Sequence, residues 1–245
     1  MLACKALAGL LLYPDEALLG ALPEITAIMR EAGLPPTELD AVLRFCDRLA
    51  AAELLDAQGE YVALFDAAPS LSLYLFGHVH GDSRERGQAM VDLIEDYRRM
   101  GLDMTADELP DFLPVFLEYA SLHDPAQARV LLGEVAEVVS LLAGRLERRG
   151  TPYAAVLRAI EALGARRADR ETVEARLAEG EPEDTPEALD ARYEEVPVNF
   201  MEPAVADSAC FKAAALVAQF SRDVPPRSRP SNPPAGTQET APWIG

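Results

Sequence analysis

The chain has 245 residues, 49% of them hydrophobic, with 22 Lys and Arg against 41 Asp and Glu, a formal net charge of −19. A field of that sign repels nucleic-acid phosphate and anionic membrane surfaces; it either favours encounter with a basic partner or serves solubility alone. Three widely spaced cysteines, Cys4, Cys46 and Cys210, form no CxxC pair; this argues against a disulfide framework or a cysteine-built zinc site and suits a reducing cytoplasm.

Ala, Leu, Glu and Arg dominate, all of them good helix formers, and β-branched residues never form a sustained alternating run. The expectation is an all-α fold, a single-domain helical bundle over 1–222. The opening run MLACKALAGLLLY resembles a signal peptide, but Pro14, Asp15 and Glu16 follow at once and no small-x-small cleavage site is placed after it. It reads as a first core helix over 2–12, with Leu7, Leu10 and Leu11 on one face. No segment reaches the ~18 apolar residues that a membrane span needs.

Asp15 starts a short second helix, and Pro23 opens a third that Gly33 closes. Thr37 is placed to cap a fourth, in which Leu39, Val42, Leu43, Cys46 and Leu49 recur at helical spacing. Tyr61, Leu64 and Phe65 share a helical face. In 71–79 the alternation of Leu71, Leu73 and Leu75 suggests a strand, while Leu71, Tyr74, Leu75 and Val79 suit a helix. With no neighbouring strand to pair with, the helix is preferred. After a break at 81–83, Met90, Leu93, Ile94 and Tyr97 form one apolar stripe that Gly101 ends. Leu109, Pro110 and Asp111 cap a helix that buries Leu113, Phe116, Leu117 and Ala120. One long helix is expected from Pro125 to about Arg149, and another from Pro152. An acidic loop follows at 179–186, then an Ala-rich helix over 202–220. The stretch 223–245 contains six prolines and reads as a disordered tail.

Little here carries covalent chemistry. His78 and His80 diverge by about 200° on a helix and cannot chelate one metal there. Ser83 lacks a nucleophile elbow, and there is no Gly-rich phosphate loop. No metal or cofactor site is expected. The region 58–119 is instead dense in aromatics and charge. Tyr61, Leu64, Phe65, Tyr74 and Phe76 are candidate apolar anchors of a peptide groove. Asp66, Glu108 and Asp111 are its candidate acidic rim, with Arg84 and Arg86 as flanking polar groups. Two rivals stay open on these residues: a small hydrolase using 78–82, and a permanent subunit of a redox complex.

The segments 61–66 (YVALFD), 72–92 (SLYLFGHVHGDSRERGQAMVD) and 108–119 (ELPDFLPVFLEY) resemble the NarJ family, the nitrate reductase molybdenum cofactor assembly chaperones. The stretches LYPD at 12–15 and DTPEALD at 184–190 fit the same family. The resemblance implies an all-helical cytoplasmic chaperone without a reaction or cofactor of its own. It implies binding of the N-terminal segment of the catalytic subunit of a respiratory nitrate reductase. That subunit would be held ready for molybdenum cofactor insertion before membrane docking, with cofactor biosynthesis proteins as further partners. It adds His78, His80 and Pro110 to the client-binding candidates. The wider family of molybdoenzyme chaperones carries an acidic-Pro-Asp-His pattern linked to client recognition. Glu108, Pro110 and Asp111 match it, but Phe112 stands where the histidine is expected.

Overall fold

Leu7, Leu10 and Leu11 have no exposed surface at all and mark the centre of the protein. They belong to α1 (Leu2–Leu10) and its cap, which buries Ala3, Cys4, Ala6 and Ala8 as well. A helix apolar on nearly every side must be surrounded, and α1 packs against three others: α2 (Glu16–Glu31), α7 (Leu113–Ser121) and α10 (Ala154–Leu163). Burying a leucine side chain stabilises by roughly 1.5–3 kcal/mol, so these three residues weigh heavily in the core.

The computed structural model describes residues 1–79, 84–104 and 108–180, with the backbone alone at Arg84 and Glu85. The remaining helices are α3 (Pro36–Ala51), α4 (Leu54–Tyr61), α5 (Leu75–Val79), α6 (Arg84–Arg99), α8 (Pro125–Glu134), α9 (Ala136–Arg148) and α11 (Arg170–Ala178). A π turn (Val62–Asp66) and a 3-10 turn (Pro69–Leu71) lie between α4 and α5. The described residues are therefore all-α, as composition implies. His80, the acidic stretch from 181, the 202–220 helix, the boundary at 222 and the Pro-rich tail lie outside them.

Periodicity sets most elements. In α3 the spacing buries Val42, Phe45, Cys46 and Leu49, and in α10 it buries Val156, Leu157 and Ile160. Asp15 caps α2 by accepting from the Leu18 amide at 2.7 Å, and Asp124 caps α8 through Ala126 and Gln127. Gly101 ends α6 with φ +79°, where a side chain would be strained. The Leu102 amide then reaches back to the Tyr97 carbonyl at 3.0 Å.

Several boundaries differ from expectation, each for a local reason. The second and third expected helices are one: Pro23 sits inside α2, on its exposed side, where solvent can satisfy the carbonyl that the missing N–H leaves. Thr37 makes no cap, because Pro35 is the N-cap and Pro36 the first helical residue. The long helix expected from Pro125 is broken at Val135 (φ −95°, ψ 5°) into α8 and α9. At that end of α8 the Arg129 carbonyl accepts from the Ala165 amide at 2.8 Å, and the Gly133 carbonyl from Arg166 Nε at 3.3 Å. The chain after α10 thus covers the end of α8. Helix α11 was not anticipated; its charged sequence has little periodicity, and it is held by close approach to α9. A Cβ at Gly144 would lie 2.7 Å from Leu177 Cδ1.

The largest difference lies at 72–74. This stretch is extended rather than helical, and Tyr74 forms an isolated antiparallel bridge with Phe112. The Leu113 amide donates to the Leu73 carbonyl and the Leu75 amide to the Asp111 carbonyl, both at 2.9 Å. The missing partner for the Leu71–Leu73–Leu75 alternation is the turn before α7, which carries no strand pattern of its own.

Candidate functional site

Two aromatic walls, one of them this bridge, face each other across a small cavity. The first comes from the end of α4 and the π turn, where the Ala67 amide reaches the Val62 carbonyl at 2.9 Å, one residue further than in an α-helix. Tyr61, Leu64 and Phe65 point inward, as their spacing implies, while Asp66 is exposed. The Tyr61 ring lies 4.9 Å from Phe65 and meets Tyr13 edge-on at 5.7 Å. Its hydroxyl donates to the Leu11 carbonyl at 3.0 Å. Burial first, then the Asp66 charge, pushes the Tyr61 phenol well above its ordinary range. Behind it, Phe65 packs edge-on against Tyr153 at 5.1 Å, and Tyr153 against Phe45 at 4.8 Å.

The second wall is the bridge itself. The Tyr74 and Phe112 rings lie 5.2 Å apart, and the Tyr74 hydroxyl donates to Glu108 Oε2 at 3.2 Å. Partial burial, with Glu108 beside it, raises the Tyr74 phenol as well. Between the walls is a cavity of about 320 Å³, lined also by Leu12, Tyr13 and Leu73. Leu12 and Tyr13 are 46% and 49% exposed, so the mouth is apolar. Asp66 and Glu108 both line the cavity, and no ion pair holds either among the described residues. No cation is among the lining residues. The result is an aromatic cup with two carboxylates and no counter-charge among the described residues that line it.

Two larger clefts, of about 570 and 820 Å³, open among α3, α9, α10 and α11. Their charges are largely paired already: Arg158 to Glu147 at 2.7 Å and to Glu161 at 2.8 Å, and Arg48 to Glu60 at 2.8 Å. Size alone is a weak criterion; the small cup concentrates unneutralised charge on apolar surface, which the larger clefts do not.

Of the residues singled out in the sequence, Tyr61, Phe65, Asp66, Tyr74 and Glu108 meet in the cup. Leu64 is buried behind them, and Phe76 is half-buried against the core. His78 is not among the cup's lining residues: its Nε2 lies 2.7 Å from the Ser72 carbonyl, and burial lowers its pKa. A neutral ring donating Nε2–H fits that contact. The segment around it is held from behind, by Arg145 to the Ser70 carbonyl at 2.7 Å and by Arg176 to the His78 carbonyl at 2.9 Å. The Pro110 carbonyl accepts from the Tyr97 hydroxyl at 2.7 Å. Leu12, Tyr13, Leu73 and Phe112 also line the cup and were not among the candidates. The LYPD stretch was the available signal for the first two.

Asp111 stands apart from the rim. It is 0% exposed, its Oδ2 accepts from the Phe76 amide at 3.0 Å, and its Oδ1 is buried with no hydrogen-bond partner. It therefore caps α5 rather than α7, whose N-cap is Phe112. Burial raises its carboxyl above the ordinary 3.8, opposed by the Phe76 N–H and by the Arg86 guanidinium, whose own Nε is buried without a partner. A carboxyl raised in the folded state contributes stability that is complete below 3.8 and lost as pH rises through the raised value. Asp111→Asn cannot ionise, so it is expected to lose less stability than the parent between acid and neutral pH. Urea unfolding across that range checks this; parallel profiles would mean that folding leaves the Asp111 carboxyl at its unfolded pKa, against the raised value.

Over the described residues, fold and site together define an all-α protein with an acidic aromatic cup. Residues 26–159 match the family described as nitrate reductase delta subunit, and the chain belongs to that family. NarJ of Escherichia coli (strain K12), a nitrate reductase molybdenum cofactor assembly chaperone, is 39% identical over 215 residues, 87% of this chain and 89% of the relative. NarW of the same organism, described as a "probable" chaperone of that kind, is 37% identical over 223 residues, 91% and 94% of the two chains. A Bacillus subtilis (strain 168) NarJ, also so described, is 32% identical over 70% of this chain and 95% of its own. The family is one of assembly chaperones, not enzymes. No described helix is long and apolar enough to cross a membrane.

Proposed function

We propose that this protein is a dedicated cytoplasmic chaperone of a respiratory nitrate reductase. Residues 1–222 form the chaperone domain, and the cup receives the N-terminal segment of the apo catalytic subunit. Holding that segment keeps the subunit competent for molybdenum cofactor insertion and delays membrane docking. The observation that carries the reading is the cup: aromatic walls, an apolar mouth and two carboxylates without a counter-charge. An amphipathic helix with basic residues complements it, its apolar face entering the cup and its cations meeting Asp66 and Glu108. The −19 charge speeds encounter with such a segment. Relatives named as nitrate reductase molybdenum cofactor assembly chaperones support nitrate reductase as the enzyme served.

Calorimetric titration with a peptide of the catalytic subunit's N-terminal segment tests it. Binding is expected, weakening with added salt and with Asp66→Lys. Absence of binding would remove the leader-recognition reading. Binding indifferent to both salt and Asp66→Lys would remove its electrostatic part.

A further inference from the structure

We infer that Asp111 is the positioning residue of the cup, enclosed where a client does not reach it and setting the wall that the client meets. The inference rests on the reading that the cup takes a client segment. The wall consists of Tyr74 and Phe112, which belong to separate stretches of chain with no helix in common. Asp111 joins those stretches twice. Its carbonyl accepts from the Leu75 amide at 2.9 Å and its Oδ2 from the Phe76 amide at 3.0 Å. With the Leu113-to-Leu73 bond at 2.9 Å, these hydrogen bonds set the register that places the two rings 5.2 Å apart.

The turn itself is anchored one residue earlier, at Pro110, by the Tyr97 hydroxyl. A side chain with no exposed surface cannot accept a hydrogen bond from a docked cation unless the wall opens. Glu108, three residues earlier, is exposed and lines the cup. The acidic-Pro-Asp stretch therefore divides its work: Glu108 faces the ligand and Asp111 faces the fold. Both α5 amides are first-turn donors without an intrahelical partner. Losing the Asp111 carboxylate would take its acceptor from the Phe76 amide and loosen the start of α5 beside Tyr74.

The test compares Asp111→Ala, Asp111→Asn and Glu108→Gln in the full chain, with two readouts. The first is affinity for the N-terminal client peptide and its dependence on salt. The second is amide hydrogen exchange at Leu75, Phe76 and Leu113 without peptide. Asp111→Ala is expected to weaken peptide binding about tenfold, the equivalent of one lost hydrogen bond at a buried group, with an unchanged salt slope. Exchange at Phe76 should accelerate by a similar factor, more than at Leu75, whose backbone acceptor at residue 111 remains, while amides of α1 and α10 keep their protection. Asp111→Asn retains an acceptor and should restore both readouts to within about threefold. Glu108→Gln should leave exchange alone and flatten the salt slope. Asp111→Asn flattening the slope as Glu108→Gln does would show direct contact with a client cation and overturn the inference. Unchanged exchange in Asp111→Ala would overturn it too. If the parent chain bound no peptide, the client reading would fail, and the exchange readout would still decide what Asp111 positions.

Discussion

Tyr153→Ala is expected to lower the free energy of unfolding by about 3–5 kcal/mol, the range for removing a large buried aromatic side chain. Tyr153 is 2% exposed and sits where three rings converge: Phe45 at 4.8 Å, Phe65 at 5.1 Å and Tyr61 at 6.2 Å. Two of these rings are the inner wall of the cup, so the cavity left by truncation opens directly behind the site. Edge-on ring pairs add about 0.5–1.5 kcal/mol beyond area burial, which places this position above an ordinary core leucine. Tyr153→Phe keeps every ring pair and is expected to cost less than about 1.5 kcal/mol. Urea unfolding of both variants supplies the comparison. A loss below about 1 kcal/mol for Tyr153→Ala would mean that Phe45 and Phe65 close the gap by themselves. The aromatic stack would then not be what holds the cup's inner wall.

That stack runs from Tyr13 at the surface, through Tyr61 and Phe65, to Tyr153 and Phe45 beneath. It joins α10 and α3 of the core to the α4 end and its π turn. The mouth of the site is therefore continuous with the buried core. The opposite wall has no such ring stack behind it, although Phe112 and its neighbours Leu73, Leu75 and Leu113 are buried in the core. It depends on hydrogen bonds between two extended segments, on Asp111 and on the Tyr97 hydroxyl.

Helix existence was legible wherever one segment supplied its own signal. The spacing of Val42, Cys46 and Leu49 sufficed for α3, and Gly101 for the end of α6. What escaped was decided between segments. Nothing in 125–149 announces that the Arg129 and Gly133 carbonyls will be taken by residues 165 and 166. Nothing in 71–79 names 111–113 as the strand-like partner that keeps 72–74 extended. The same limit governs the site. Aromatic density and acidic charge in 58–119 brought Tyr61, Phe65, Asp66, Tyr74 and Glu108 to attention, and the cup assembles them. Asp66 and Asp111 look alike in sequence, each beside apolar residues, yet one is exposed and the other enclosed. Burial is a tertiary property, and the pairing of 74 with 112 settles it. Leu12 and Tyr13 were hidden for a related reason, because their stretch looked like a helix end and lies almost fifty residues from the rest of the cup.

Reversing both cup carboxylates, Asp66→Lys with Glu108→Lys, is expected to reduce affinity for the client peptide at least a hundredfold at low salt. A hydrogen bond to a charged group contributes about 1.5–3 kcal/mol, and each 1.4 kcal/mol is a factor of ten. Removing two such hydrogen bonds already reaches that figure, and the new lysines add repulsion against a basic ligand. Since both residues are exposed, stability should shift by no more than about 0.5 kcal/mol apart from the Tyr74 hydroxyl bond. A matched control separates the local effect from the overall field. Glu24→Lys with Glu31→Lys makes the same change in net charge on exposed positions of α2, outside the cup. At ionic strengths where the screening length is about 8 Å, distant charges are largely silent, so the control should alter affinity by less than about threefold. Titration of both double variants at low and high salt decides the matter. Equal losses in the two would assign recognition to the protein's −19 charge as a whole. A loss confined to the cup variant, shrinking as salt rises, would assign it to two carboxylates held among aromatic side chains, at a mouth that Tyr13 and Leu12 keep open to an incoming helix.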